Sequence, residues 1–108
     1  IGFDWTKASE VLDKVEEEIR EIRESMAARN PAHTREEIGD LLFSLVNLCR
    51  FIDVQAEEAL QAATAKFTRR FQAMEKILRG ENRDPSSCTL EELESLWQKV
   101  EKSEDNHL

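Results

Sequence analysis

Apolar residues recur at three- and four-residue intervals along most of the chain, which is the spacing of amphipathic helices. The first apolar stripe predicts a helix from about Ala8 to Ala28, and Pro31 then prevents it from continuing. The second apolar stripe predicts a helix from Thr34 to about Phe51. Thr34 and Glu37 have the spacing of a capping box at its start. Because apolar residues cover much of the circumference of this second helix, we expect several neighbours to bury it.

Two more helices follow by the same criteria. One should extend from about Ala56 to Leu78, and after a polar loop a last one should begin at Thr89, where Glu92 completes another capping box. The pattern ends near residue 103, so residues 1–103 are predicted to form a single domain and residues 104–108 a frayed tail. The fold class is therefore all-α, a four-helix, bundle-like arrangement.

The third predicted helix is long for so small a domain. At a rise of about 1.5 Å per residue it would exceed about 30 Å, so part of its apolar stripe should extend onto a partner chain. This predicts a homodimer.

Composition narrows the class of protein. The chain has 108 residues, 40% hydrophobic and 35% charged, which suits a helical globular domain and not a disordered acidic tail. With 23 acids against 15 bases, the net charge of −8 argues against a nucleic-acid binder, and a polyanion would bind only through divalent cations. Cys49 and Cys88 are interpreted as reduced, structural thiols. No stretch predicts a membrane span or a signal peptide, so we expect a cytoplasmic protein without a membrane partner.

Two pairs of acids stand beside the apolar stripes of the first two helices. Glu18 and Glu21 are three residues apart, as are Glu37 and Asp40, so each pair projects from one side of its helix. If the helices pack antiparallel, four carboxylates converge, and a hard cation such as Mg²⁺, or Mn²⁺ in its place, would offset their repulsion. The competing interpretation is a solvated acidic helix face stabilised by Glu–Arg pairs.

Basic and aromatic residues supply candidates for phosphate and base binding. Lys66 and Arg70 lie one turn apart and could clamp phosphates, although a solvated basic edge explains them too. Lys14 lies one turn before Glu18 and could reach the same phosphates. Trp97 could stack on a base, although an indole is more often core. Asn47 continues the polar line of the second helix and is included with these candidates for substrate binding.

Three segments carry a family resemblance: KVEEEIREI, EEIGDLLFSLVNLCRF and ALQAATAKFTRRFQAME. Together they resemble the MazG family of nucleoside triphosphate pyrophosphohydrolases. The family pattern is ExxE, a variable spacer and ExxD, which Glu18–Glu21 and Glu37–Asp40 match. The resemblance covers roughly Gly2 to Val100 and is closest to the second domain of tandem members; since the chain begins with Ile, we expect a longer parent protein.

The resemblance implies an all-α dimer that splits NTPs and dNTPs between the α- and β-phosphates. It implies Mg²⁺ on the four acids of the pattern, and phosphate or base contacts for the candidates Lys14, Lys66, Arg70 and Trp97. Glu17 and Glu36 would assist or orient water, and we hypothesise that Glu18 orients or deprotonates the attacking water.

Two alternatives to a general nucleotide pyrophosphohydrolase remain open. One is a narrower all-α hydrolase acting on dUTP, dCTP or phosphoribosyl-ATP, since it would share the carboxylate arrangement. The other is a non-catalytic helical dimerisation domain.

Overall fold

The computed structural model describes residues 4–105 of the chain, and within that range it contains helices and no strand. The all-α prediction is therefore confirmed. The chain divides into two compact units, one ending at Ala59 and the other beginning at Leu60. No helix in the described range combines the length and apolarity that crossing a membrane requires.

The first helix, α1, spans Trp5–Ala27 and begins three residues before the predicted start. Asp4 is the reason, because its side chain accepts a hydrogen bond from the backbone N–H of Lys7 at 3.1 Å and so satisfies one free donor of the first turn. The helix ends at a turn in which Arg29 adopts a positive φ of 55°.

The second helix, α2, spans Pro31–Phe51, and the prediction that Thr34 caps it is wrong. Asn30 is the cap, because its side chain accepts from the backbone N–H of His33 at 3.2 Å. Pro31 fits the first helical position since that position needs no N–H donor. Thr34 lies inside the first turn, where its hydroxyl donates to the Asn30 carbonyl at 3.0 Å.

The α1–α2 pair forms the first unit as an antiparallel hairpin. Near the turn, the hydroxyls of Ser25 and Thr34 are 2.8 Å apart, and at the other end the Asp4 N–H donates to the Phe51 carbonyl at 2.7 Å. Several of the residues along its buried side are polar. The buried residues of these two helices are Ala8, Glu18, Ser25, Glu37 and Ser44.

The helix α3 spans Ala56–Gly80, and α4 spans Leu90–Asp105 after a short 3-10 helix at Pro85–Ser87. The capping box predicted for α4 is confirmed: Thr89 Oγ1 accepts from the Glu92 N–H at 3.1 Å, and Glu92 accepts from the Thr89 N–H at 3.2 Å. Residues 104 and 105, placed in the tail by the sequence pattern, are helical, and residues 106–108 lie outside the described range.

Few large apolar side chains are buried in the single chain. The buried apolar residues in the described range are Ala8, Met74, Leu78 and Val100. In contrast, α2 exposes Phe43 to 77%, Leu42 to 59% and Val46 to 51% of their surface. The expectation that neighbours bury α2 on several sides is therefore not met within one chain.

Candidate metal centre

Three carboxylates meet across the α1–α2 hairpin. Glu18 and Glu21 come from one side of α1, and Glu37 comes from α2. Each offers one oxygen, and these oxygens all lie within 4.8 Å of one another. Glu18 and Glu37 are only 4% and 6% exposed, so this group lies within the hairpin interface and not on a solvated helix face.

Two oxygens of the cluster have no hydrogen-bond partner among the described residues. They are Oε2 of Glu18 and Oε2 of Glu37, both buried. A buried acceptor without a donor is costly, and more so when it carries charge. A hard divalent cation offsets this cost, because carboxylate oxygens are its preferred ligands. The donor set of Glu18, Glu21 and Glu37 therefore fits Mg²⁺ or Mn²⁺.

The crowding of these acids raises the pKa of Glu37 to about 8. Hydrogen bonding of a protonated Glu37 to Glu18 is the largest cause, followed by hydrogen bonding to Glu21 and by burial. Near neutral pH and without a cation, the cluster thus retains a proton that holds the carboxylates together.

Basic side chains border the cluster on both helices. On α1, Lys14 Nζ lies 3.4 Å from Glu18 Oε1 and 3.5 Å from Glu17 Oε2, and its hydrogen bond to Glu18 is the main reason that the pKa of Lys14 is raised. On α2, His33 Nε2 lies 3.3 Å from Glu37 Oε1. Lys14 is half exposed, so its ammonium group is accessible to an anionic ligand as well as to Glu18.

The other candidates on α2 lie outside this group of three. Asp40 is exposed one turn after Glu37, and Glu36 is exposed with its carboxylate 4.0 Å from His33 Nδ1. Asn47 is half-buried further along α2. The structure thus brings together three of the four acids predicted to bind metal.

In the second unit, Arg70 is held by two acids of α4. Its Nε donates to Glu104 Oε2 at 2.8 Å and its Nη1 to Glu101 Oε1 at 3.2 Å. The guanidinium carbon lies 5.3 Å from the centre of the Trp97 ring, which provides a cation–π contact. Lys66, one turn earlier on α3, is exposed.

The acids that hold Arg70 were missed by sequence reasoning. The sequence pattern places Glu104 in the frayed tail and gives Glu101 no functional role. The available signal was the three-residue spacing of two acids in the turns after Trp97, which places them on one side of a helix.

Comparison with known proteins identifies similar sequences. Residues 7–74 match the model of the MazG nucleotide pyrophosphohydrolase domain. This range includes Glu18, Glu21, Glu37 and Asp40, and it ends before Trp97.

Several curated proteins are similar to most of the chain. The nucleoside triphosphate pyrophosphohydrolase/pyrophosphatase MazG of Thermotoga maritima is 40% identical over 105 residues, which are 97% of this chain and 40% of that protein. The nucleoside triphosphate pyrophosphohydrolase of Escherichia coli K12 is 43% identical over 106 residues, 96% of this chain and 40% of that protein. The chain therefore spans about 40% of the length of these relatives.

Proposed function

The chain belongs to the MazG family of nucleotide pyrophosphohydrolases, and from this premise we propose that it hydrolyses nucleoside triphosphates to the monophosphate and pyrophosphate. The observation that carries the proposal is the carboxylate cluster of Glu18, Glu21 and Glu37, with its two buried oxygens that lack partners. Such a cluster is suited to a divalent cation, and a cation on an acidic protein provides a binding site for a polyphosphate. The Thermotoga maritima and Escherichia coli relatives, both named nucleoside triphosphate pyrophosphohydrolases, support the same reaction.

Glu18, Glu21 and Glu37 would hold Mg²⁺, and Asp40 would act as a fourth ligand from the next turn of α2. When bound, the ion would offset charge on the polyphosphate and lower the pKa of a coordinated water. Asp40 is assigned by the family pattern of ExxE and ExxD, since it is exposed and outside the group of three.

The protein's own side chains would position water and substrate. Glu18 would orient or deprotonate the attacking water, with Glu17 and Glu36 orienting it from the exposed margin. Lys14 lies beside Glu18 and is half exposed. On substrate binding, its ammonium group would weaken its contact with Glu18 and bind a phosphate oxygen.

Lys66 and Arg70 are proposed to bind phosphate oxygens, and Trp97 to stack on the base, with Asn47 as a further polar contact. Arg70 Nε and Nη1 already donate to Glu104 and Glu101, so Arg70 would contact phosphate through its remaining guanidinium N–H groups, whereas Lys66 offers an exposed point charge. We also propose a homodimer, since α2 exposes a row of large apolar side chains. The proposed location is the cytoplasm.

The test is pyrophosphate and monophosphate release from a panel of common NTPs and dNTPs, dUTP, dCTP and phosphoribosyl-ATP, with Mg²⁺ and with a chelator. Glu37→Gln should lower the rate by about a hundredfold or more, because it replaces a charged metal ligand by a neutral amide of nearly the same size. The exposed Glu16 on α1 supplies the matched control, Glu16→Gln, which should retain the wild-type rate. Asp40→Asn tests the fourth ligand separately.

The panel also separates the alternatives. Hydrolysis of dUTP, dCTP or phosphoribosyl-ATP alone would indicate the narrower enzyme. No hydrolysis, together with no change in melting temperature on adding Mg²⁺, would indicate a non-catalytic dimerisation domain. A wild-type rate in Glu37→Gln would refute the assigned site.

A further inference from the structure

Arg70 is a cation of the second unit that several contacts constrain. Its side chain is only 12% exposed, and three groups contact its guanidinium: Glu104 at Nε, Glu101 at Nη1 and the ring of Trp97 at one face. A free arginine loses more rotamer freedom on ordering than most side chains. These contacts therefore fix an orientation that the guanidinium would otherwise have to acquire on binding a ligand.

The Trp97 contact extends a column of rings that runs along α3. Phe71 lies 6.0 Å from Phe67, and Phe67 lies 5.4 Å from Trp97, measured between ring centres. Arg70 is at the end of this column, 5.3 Å from Trp97. A residue that fixes the position of the Arg70 guanidinium therefore also fixes its contact with one face of the Trp97 indole.

Glu104 makes the stronger of the two carboxylate contacts. It is 2.8 Å from Arg70 and 31% exposed, whereas Glu101 is 3.2 Å away and 44% exposed. Glu104 also lies 3.6 Å from Arg69 Nε, so its charge is shared between two guanidinium groups. The hydrogen bond to Arg70 is the main reason that the pKa of Glu104 is lowered. Glu104 therefore shares its charge between Arg70 and Arg69, while Glu101 adds a second carboxylate contact to Arg70.

We propose that Glu104 is a positioning residue that holds Arg70 against Trp97, so that the guanidinium is already oriented when it meets the phosphates of the substrate. The proposal rests on the phosphate-binding role of Arg70 given under the proposed function. Orienting the side chain in advance removes an ordering cost from substrate binding, so the effect belongs in KM and not in kcat.

The kinetic test is a double-mutant cycle on the full chain with Mg²⁺ and ATP. Glu104→Ala should raise KM about fivefold and leave kcat within about twofold of the wild-type value. Glu104→Gln, which keeps an acceptor for Nε, should restore part of the loss. In an Arg70→Ala background, Glu104→Ala should have no further effect, because its partner is gone. Glu94→Ala, at an exposed position of the same helix, is the matched control.

Each contrary kinetic result has a distinct meaning. A lower KM in Glu104→Ala would show that Glu104 masks Arg70, and this would overturn the proposal. If Glu104→Ala raises KM equally in the wild-type and Arg70→Ala backgrounds, Glu104 does not act through Arg70. This result would also overturn the proposal. If Arg70→Ala itself leaves KM unchanged, both the phosphate role of Arg70 and the positioning role fall.

A second measurement tests the geometry without nucleotide or turnover. In a Trp5→Phe background Trp97 is the single indole, and its emission reports the contact with Arg70. Glu104→Ala should shift this emission, while Glu94→Ala should not. An unchanged emission spectrum would overturn the claim that Glu104 maintains the stack, even if the chain hydrolyses nucleotides as proposed.

Discussion

At the scale of single residues, the decisive feature is that protons and cations compete for the same oxygens. Glu37 needs either a proton or a cation beside Glu18 and Glu21, because three ionised carboxylates cannot share a nearly buried site without one. The raised pKa of Glu37, about 8, and its unpartnered Oε2 are two consequences of this crowding. His33 Nε2 lies 3.3 Å from Glu37 Oε1, and the His33 side chain is half exposed to solvent.

This competition predicts the pH dependence of folding without metal. Glu37 has a pKa of about 8 in the native chain and 4.5 as the ordinary value, so between these pH values the native state binds more protons than the unfolded state. The free energy of unfolding should therefore fall as pH rises from about 4.5 to about 8. Urea unfolding in the presence of a chelator, followed by circular dichroism across this range, measures the effect.

Mg²⁺ should reverse part of that loss, since it binds the ionised carboxylates. The increase in melting temperature on adding Mg²⁺ should thus be larger at pH 8 than at pH 6. Glu37→Gln should flatten the pH dependence and reduce the Mg²⁺ effect, whereas Glu16→Gln should retain both. An equal Mg²⁺ effect at the two pH values would argue against cation binding at Glu37.

The residue spacing predicted part of the site. Three-residue spacing places Glu18 and Glu21 on one side of α1, and the antiparallel hairpin brings Glu37 to them. It did not predict the contacts of Arg70 with Glu101 and Glu104, which are 31 and 34 residues away along the chain. Spacing within a helix is fixed by its geometry, whereas contacts between helices depend on how their side chains pack.

At the scale of helices, the start of α2 shows that capping-box spacing alone does not identify the first residue of a helix. Thr34 and Glu37 have the capping-box spacing, but Glu37 instead belongs to the carboxylate cluster, and Asn30 with Pro31 forms the actual start. At α4 no such competition exists, and Thr89 with Glu92 forms the predicted box. Periodicity therefore predicts which segments are helical, whereas the first residue depends on the side chain that caps the helix, Asp4 in α1 and Asn30 in α2.

The cap of α2 predicts a measurable contribution to stability. Asn30→Ala removes the acceptor for the His33 N–H and should lower the free energy of unfolding by about 1 kcal/mol. Asn30→Asp keeps an acceptor and adds a negative charge at the helix N-terminus, so it should match or slightly exceed the wild type. Urea denaturation in the presence of a chelator gives the comparison. Equal losses in the two variants would show that the side-chain acceptor does not stabilise α2.

At the scale of the whole molecule, the main feature is an apolar side of α2 that the single chain does not bury. Its apolar residues follow one another at helical spacing, so they form a continuous surface and not scattered exposures. The exposed large apolar residues of α2 are Ile38, Leu42, Phe43, Leu45 and Val46. Soluble monomers seldom expose an apolar surface of this continuity, whereas subunit interfaces are built from such surfaces.

The proposed homodimer therefore makes a prediction about Phe43, which is 77% exposed. Phe43→Glu should convert dimers to monomers, because a symmetric interface would lose the burial of two phenyl rings, about 3 kcal/mol or more. This corresponds to a dissociation constant raised roughly a hundredfold or more. The matched control is Leu90→Glu on α4, where Leu90 is 72% exposed and an acid suits the first turn of the helix.

Size-exclusion chromatography with light scattering, run over a range of protein concentrations, measures the mass of each variant. Circular dichroism of Phe43→Glu should match the wild type, because a side chain this exposed contributes little to the fold of its own chain. A wild-type chain that is monomeric at all concentrations would contradict the dimer. A dimer that Phe43→Glu leaves intact would move the interface away from α2, to another of the exposed apolar positions such as Leu60 or Phe67 on α3.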